Sequence, residues 1–477
     1  MILEPVIGLE VHAQLKTKSK LFSGSATIYG AEPNSQTSFI DAGFPGVLPV
    51  LNGEAVIMAI RFGLAIQAEI QGICYFERKN YFYPDLPKGY QISQFEKPII
   101  RDGCLSIRLP DNTDKKIPIV RAHLEEDAGK SLHEAHPLYS GIDLNRAGTP
   151  LLEIVTAPCL FSAEEAVIYL KTLHELLRFL DICDGNMQEG SFRCDVNISL
   201  RPEGSDALGT RVELKNLNSF RYIEKAILHE QLRQQNVLQS GQFVRQETRL
   251  YSPVTDSTYP LRGKEREEDY RYFPEPDLLP VHLSKEDIAH IQESMPELPA
   301  QIRARLREIE EFSSDDIEFL LSSPELIHFF DSVVKQTAAS LKTVVNWLKG
   351  PYAEALNETN GSFAYPPVSA NQLGSLLDKL SSQIINHKTA RTIFSQLLTS
   401  KQTIDELIAL HGYEQTMKQS ELEAAIHEVL NQFPEQVALY RAGKDKLLAF
   451  FVGQVMKQTR GKGDPSLVNK LLRNYLK

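Results

Sequence analysis

The sequence is poor in cysteine and has no long uncharged apolar run, and both absences exclude whole classes of protein. Its five cysteines, at 74, 104, 159, 183 and 194, are odd in number and form no C-x-x-C pair, so neither a disulfide framework nor a structural zinc site is expected. The longest apolar-looking stretch, Ala55 to Ile70, is interrupted by Arg61 and falls short of the roughly 18 uncharged residues that a membrane span requires. Met1-Ile-Leu-Glu-Pro5 has neither a basic n-region nor an apolar h-region, and Glu4 argues against a transit peptide, so a cytoplasmic location is expected. No G-x-S-x-G elbow occurs, and no cysteine has the flanks of a catalytic nucleophile. Gly129-Lys130-Ser131 has the end of a Walker A pattern, but Leu124 stands where its first glycine belongs, so there is no P-loop.

What is present is ordinary globular usage, 42% hydrophobic and 24% charged, over 477 residues, a length that suggests about three domains. Residues 1–290 are rich in Gly, Pro and short alternating runs and read as strands with a few helices. Residues 291–400 carry helical spacing, and 401–477 read as a further helical segment. The expected class is therefore α+β. The formal charge of −11 is unevenly placed: residues 440–477 hold nine Lys or Arg against two Asp, a net of +7. Such a tail suits a polyanion contact, and a solvated helix face is the plainer alternative.

Ser162 and Glu165 make an S-x-x-E pattern ahead of Ala166, Val167, Leu170, Leu173, Leu176, Leu177 and Leu180, which predicts a capped packing helix with His174 as a structural residue. Four other runs alternate with the period of a strand. In Val6 to His12, Ile7, Leu9 and Val11 share one face, and Glu10 and His12 the other. In Ile119 to Glu125, Val120, Ala122 and Leu124 oppose Arg121, His123 and Glu125, with Glu126 and Asp127 extending the acidic group. In Cys194 to Leu200, Val196, Ile198 and Leu200 oppose Asp195, Asn197 and Ser199. In Arg211 to Lys215, Val212 and Leu214 oppose Arg211, Glu213 and Lys215.

A half-exposed sheet shows such alternation without any function. Four strands carrying Glu10, Glu125, Asp195 and Glu213 on their polar faces raise a further point, because gathered carboxylates repel unless a divalent cation or basic side chains neutralise them. Oxygen donors favour Mg²⁺ over zinc, with His12 as a nitrogen ligand or as a group behind the ligands. Arg78 to Asp85 interleaves aromatics and cations in a candidate mobile loop.

The runs Ile7-Gly-Leu-Glu-Val-His12, Glu77-Arg-Lys-Asn-Tyr-Phe-Tyr-Pro-Asp85, His123-Leu-Glu-Glu-Asp-Ala-Gly-Lys130, Asp143-Leu-Asn-Arg-Ala-Gly-Thr-Pro150, Glu189-Gly-Ser-Phe-Arg-Cys-Asp195, Glu213-Leu-Lys-Asn-Leu-Asn-Ser219 and Asp269-Tyr-Arg-Tyr-Phe-Pro-Glu-Pro-Asp277 resemble those of the B subunits of bacterial glutamyl/aspartyl-tRNA amidotransferases. The likeness continues into Phe451-Val-Gly-Gln-Val-Met456 and Gly461-Lys-Gly463.

The resemblance implies a glutamine-synthetase-like antiparallel-sheet cradle, then an all-α helical domain and a small helical tail that touches tRNA. It implies ATP and Mg²⁺ as cofactors, a misacylated Glu-tRNA(Gln) or Asp-tRNA(Asn) as substrate, and glutamine as the nitrogen source. The implied partners are the family's A-type amidase, a glutaminase, and its small C-type companion, in a heterotrimer. By matching motifs, Glu10, His12, Glu125, Glu126, Asp195 and Glu213 would surround the activated carboxylate, all but Glu126 as Mg²⁺ ligands. Lys79 would lie near the outlet of an ammonia channel, and Lys457, Arg460 and Lys462 would contact tRNA. Some members of the family bind zinc through a cysteine cluster, but Leu21 to Ser25 and Asp41 to Gly43 contain no cysteine, so no zinc is expected. The long insertion of the archaeal relative is not evident either, which favours the bacterial type. Two other functions compete on the residues alone: a free-standing ligase amidating a small acid, and a non-catalytic RNA-binding scaffold.

Overall fold

A computed structural model describes every residue except 1, 134–137, 264–266, 401, 412–418, 460–462, 464 and 477. The chain divides into two compact units, Met1–Gln301 and Ile302–Lys477.

The first unit is built on strands that follow one another as β1 (Leu3–Gln14), β2 (Glu69–Ile70), β3 (Ile73–Cys74), β4 (Glu77–Asn80), β5 (Tyr90–Ser93), β6 (Ile100–Arg108), β7 (Asp114–Glu126) and β8 (Lys130–Leu132). After these come β9 (Gly141–Asp143), β10 (Pro150–Thr156), β11 (Phe192–Pro202), β12 (Val212–Lys215), β13 (Glu247–Ser252), β14 (Ser257–Gly263), β15 (Phe273–Pro274) and β16 (Val281–His282). Nine of them form one sheet in the order β14-β13-β12-β11-β1-β10-β7-β6-β2. Every neighbouring pair in it is antiparallel except β12 and β13. A three-stranded sheet, β15-β4-β5, carries Lys79.

One face of the large sheet is sealed by three helices: α1 (Gly53–Ala65), α2 (Ala163–Phe179) and α3 (Phe220–Gln239). The first packs on β6 and β7, the second on β6 and α3, and the third on β11 and β14. Ile7, Leu9 and Val11 are fully buried in this layer, as are Val196, Ile198, Val212 and Leu214, so the predicted apolar faces of three runs point inward as expected. The polar faces are left to build a site. His174 is structural, its Nε2 lying 2.9 Å from the Gly185 carbonyl oxygen and its ring edge-on to Phe192 and Phe220.

Two local expectations change. Ser162 caps α2 by accepting from the Glu165 amide at 3.0 Å, but the Glu165 carboxylate accepts from the Phe161 amide and the Lys115 ammonium, so the reciprocal half of the capping box is absent. Along β7 the alternation slips by one residue. Val155 pairs with Arg121 but Thr156 pairs with Ile119, which leaves Val120 as the extra residue of a bulge. Val120 is therefore 45% exposed, while Ile117, Ile119, Ala122 and Leu124 share the buried face. Period-two reasoning cannot see an inserted residue, so Val120 falls on the side opposite to the one that alternation predicts.

The second unit is helical. Side-chain caps start its helices repeatedly, as at Ser313, Ser323, Ser340, Ser369 and Asn386, each accepting from an amide in the first turn. Toward its end, helices Gln419–Gln432, Leu447–Gln458 and Pro465–Tyr475 share a small core of Leu422, Ile426, Phe451, Val455, Val468 and Leu472. Among the described residues no helix is long and apolar enough to cross a membrane.

Candidate active site

Strand register brings the polar residues together. β1 lies between β10 and β11, so His12 pairs with Glu153 on one side and Arg193 on the other, and Glu153 pairs in turn with His123 of β7. These four residues form one row across four strands. The next row sets Glu10 between Val155 and Asp195. Two residues farther along β7, Glu125 projects to the same face as His123, because side chains alternate along a strand.

The result is a compact cluster. His12 Nε2 lies 3.3 Å from Glu153 Oε2, 3.4 Å from Glu125 Oε1 and 3.8 Å from Glu10 Oε1. His123 Nε2 approaches the same pair from the other side, 3.5 Å from Glu153 Oε2 and 3.7 Å from Glu125 Oε2. Asp195 is bonded by the Lys215 ammonium, which is also 3.6 Å from Glu213 Oε1. Asp127 accepts from Arg193 Nη2 at 2.9 Å and lies 3.4 Å from Arg146 Nε. A cavity of about 390 Å³ opens over these groups, lined by Glu10, His12, Glu125, Asp127, Arg193, Asp195 and Lys215 and closed on one side by Lys79, Tyr81, Tyr83 and Tyr270.

Crowded acids and bases shift one another. The Glu153 charge, reinforced by burial and by Asp195, pushes the Glu10 carboxyl up to about 7, with His12 and Lys215 opposing. Burial disfavours charge on His12, yet its bond to Glu153 and the charges of Glu153, Glu125 and Glu10 win and raise it to about 9. Burial likewise opposes ionisation of Glu153, but His123, His12 and Lys79 hold it well below the usual carboxylate range. Glu125 is lowered too, despite burial and the Glu153 charge, through His123, His12 and Lys79.

One stability effect follows from Glu10. Its raised native pKa means that ionising it is disfavoured in the fold, a penalty complete above pH 7 and absent below the ordinary value of 4.5. Without divalent cations, Glu10→Gln should stabilise the protein at pH 8 by roughly 1–2 kcal/mol, allowing for partial solvent screening, with the gain fading as pH falls from 7 toward 4.5. Chemical denaturation of the metal-free protein at pH 5 and pH 8 measures it; equal gains at both would contradict the electrostatic origin.

The donor chemistry suits a hard divalent cation. Glu10, His12 and Asp195 place one ligand atom each within 4.8 Å of one another, and so do His12, Glu125 and Glu153. Carboxylate oxygens with one imidazole, and no thiolate, fit Mg²⁺.

Two family models match the chain: one described as the GatB/GatE catalytic domain over residues 5–289, and one described as the GatB domain over residues 328–476. The B subunits of the aspartyl/glutamyl-tRNA(Asn/Gln) amidotransferases of Legionella pneumophila, Nitrosococcus oceani and Coxiella burnetii are 60%, 54% and 52% identical to it, each alignment covering 99% of both chains. The chain belongs to the amidotransferase B-subunit family. Every residue lining the cavity of this amidotransferase B-subunit lies inside the matched catalytic domain, and Lys457 lies inside the second matched domain.

The residues of this amidotransferase B-subunit that its sequence singles out are not all together. Glu10, His12, Glu125 and Asp195 line the cavity, as does Lys79. Glu213 stands one strand away, accepting from Thr248 Oγ1 at 2.6 Å, with Lys215 between it and Asp195. Glu126 projects to the opposite side of β7, where Lys88 and the Ile92 amide hold its carboxylate, so the structure separates it from the cluster. Lys457 is exposed on helix Leu447–Gln458, and Arg460 and Lys462 lie outside the described residues. Strand alternation in the four polar-faced runs does not reach Glu153. Its signal lies elsewhere, as the one charged residue in the apolar run Pro150–Thr156, a poor place for an unpaired carboxylate.

Proposed function

We propose that this chain activates the side-chain carboxylate of a misacylated tRNA with ATP and then amidates it, within a cytoplasmic heterotrimer whose other members are a glutaminase of the A type and a small C-type companion. The substrates are Glu-tRNA(Gln), Asp-tRNA(Asn) or both, and the reaction is that of a glutamine-dependent carbon–nitrogen ligase. The antiparallel sheet with its open polar face is read as a glutamine-synthetase-like cradle. The observation that carries the reading is the convergence of Glu10, His12, Glu125 and Asp195 on one cavity that also presents Lys79, Arg193 and Lys215, with Glu153 buried against His12.

A carboxylate resists amines because its leaving group would be oxide. If one of its oxygens attacks the γ-phosphorus of ATP, ADP departs and an acyl phosphate forms; ammonia then attacks the acyl carbon and phosphate leaves. Glu10, His12, Glu125, Glu153 and Asp195 would hold Mg²⁺, which offsets the charge that builds on the transferring phosphoryl group. The chain's own groups do the rest by position. His123 faces Glu125 and Glu153 from behind and fixes their orientation. Arg193 and Lys215 line the cavity as fixed cations anchored by Asp127 and Asp195. No covalent nucleophile is required, and no serine, threonine or cysteine is among the residues lining the cavity.

The test is reconstitution with the glutaminase and the small companion. Glu-tRNA(Gln) should become Gln-tRNA(Gln) with ATP, Mg²⁺ and glutamine, scored by separating the charged species, and Asp-tRNA(Asn) should be assayed in parallel. Absence of ADP formation in response to either tRNA would remove the reading. Lys457→Ala should weaken tRNA binding several-fold and reduce the slope of log affinity against log salt by about one, as expected for a lost phosphate contact.

A further inference from the structure

The three Lys and Arg side chains lining the cavity are not equivalent. Arg193 is committed to Asp127 at 2.9 Å, and Lys215 is bonded to Asp195. Lys79 makes no ion pair with a carboxylate among the described residues. Instead the ammonium sits over aromatic faces, 4.8 Å from the centroid of Tyr270 and 5.9 Å from that of Tyr81. Tyr81 and Tyr270 themselves pack edge-on at 6.1 Å, and Tyr270 does the same with Tyr272.

Aromatic faces attract a cation but do not neutralise it. Burial disfavours the Lys79 charge, but Tyr272, Glu125 and Glu153 favour it from beyond ion-pair distance, so the ammonium stays charged without being held by either carboxylate. The rings also restrict where the ammonium can go, so it is aimed before the anion binds. Glu10, Glu125 and Asp195 line the same cavity, and Arg193 and Lys215 are already bonded to acids, so Lys79 is the lining Lys or Arg that an incoming carboxylate finds outside an ion pair.

We propose that Lys79 binds the side-chain carboxylate of the aminoacyl group, holding one oxygen while the other attacks phosphorus. This rests on the amidotransferase reading above and gives Lys79 a role in the first half-reaction, distinct from one at an ammonia outlet. The ammonium stays protonated throughout: it contributes charge and direction, and the bonds that form and break are those of the substrate carboxylate and the nucleotide. It then stays beside the acyl oxygen when ammonia adds, where negative charge again develops.

The experiment uses the assembled complex with Lys79→Met, which keeps the stem and removes the charge. Amidation of Glu-tRNA(Gln) is measured with glutamine and, separately, with saturating ammonium chloride, and ADP formation dependent on Glu-tRNA(Gln) is followed without any nitrogen donor. Loss of the substrate contact predicts a fall of about a hundredfold in all three. Lys79→Arg, which keeps the charge, should recover part of each. A purely outlet role predicts the opposite pattern, with ammonium chloride restoring the wild-type rate and ADP formation intact, and that result would overturn the proposal. Should Lys79→Met not assemble with its partners, Lys79→Gln read in the same three arms decides the matter. A wild-type complex that forms no ADP in response to misacylated tRNA would remove the amidotransferase reading, and the Lys79 assignment with it.

Discussion

Glu153→Gln should reduce amidation by about 10²–10³-fold while leaving tRNA binding unchanged, because the substitution keeps the shape of the side chain and removes a charge that two imidazoles share. Glu153 Oε2 lies 3.3 Å from His12 Nε2 and 3.5 Å from His123 Nε2, and no other carboxylate in the cluster touches both rings as closely. The carboxylates near His12 fall from three to two, Glu10 and Glu125, and a neutral amide oxygen replaces the third. Two effects should therefore appear together, a lower kcat and a rightward shift in the Mg²⁺ dependence. Glu126→Gln is the matched control, since that carboxylate bonds Lys88 and the Ile92 amide on the other side of β7. It should leave the Mg²⁺ dependence in place. Steady-state rates across a Mg²⁺ titration compare the two, and an unshifted curve for Glu153→Gln would show that the residue is structural.

How much of this is readable in advance depends on the range of the interaction. Glu10 and His12 on one strand face, and Asp195 on another, follow from period-two alternation, which is local and survives folding. That these faces meet is a matter of strand order, and no spacing in the sequence says that β1 lies between β10 and β11. Glu153 illustrates the limit. It is two residues from Leu151 in an apolar run, and only the pairing with His12 and His123 gives it meaning. Glu126 fails for the reverse reason: its neighbour Glu125 has the right face, and alternation alone sends Glu126 to the other. The bulge at Val120 reverses the parity of β7 halfway along its length, so the apolar set before it and the set after it need different frames. The capping pattern before α2 is legible in its Ser162 half, whereas the Glu165 carboxylate is drawn to Lys115, a residue 50 positions away.

Divalent-cation affinity should rise steeply with pH, because the metal-free cluster holds protons that a ligand must give up. Glu10 titrates near 7, since the neighbouring Glu153 charge and burial favour its neutral form; a cation removes that penalty by ionising it. His12 titrates near 9 for the opposite reason, its positive charge being favoured by Glu153, Glu125 and Glu10, and it must become neutral to offer a lone pair. Below pH 7 both protons compete with the metal, and between 7 and 9 only that of His12 does. If Glu10 alone gives up a proton, affinity for Mn²⁺ as a probe of the Mg²⁺ site should change about tenfold between pH 6 and pH 8. If His12 also ligates, the change over the same interval should reach several-hundred-fold, and affinity should go on rising toward pH 9. Calorimetric titration with Mn²⁺ at pH 6, 7 and 8, in buffers of different ionisation enthalpy, counts the protons directly. Two protons released at pH 6 would make His12 a ligand, one would leave it behind the carboxylates, and a pH-independent affinity would mean that the cation binds elsewhere. Glu10→Gln should remove the tenfold component and leave the other, which separates the two residues within one series of measurements.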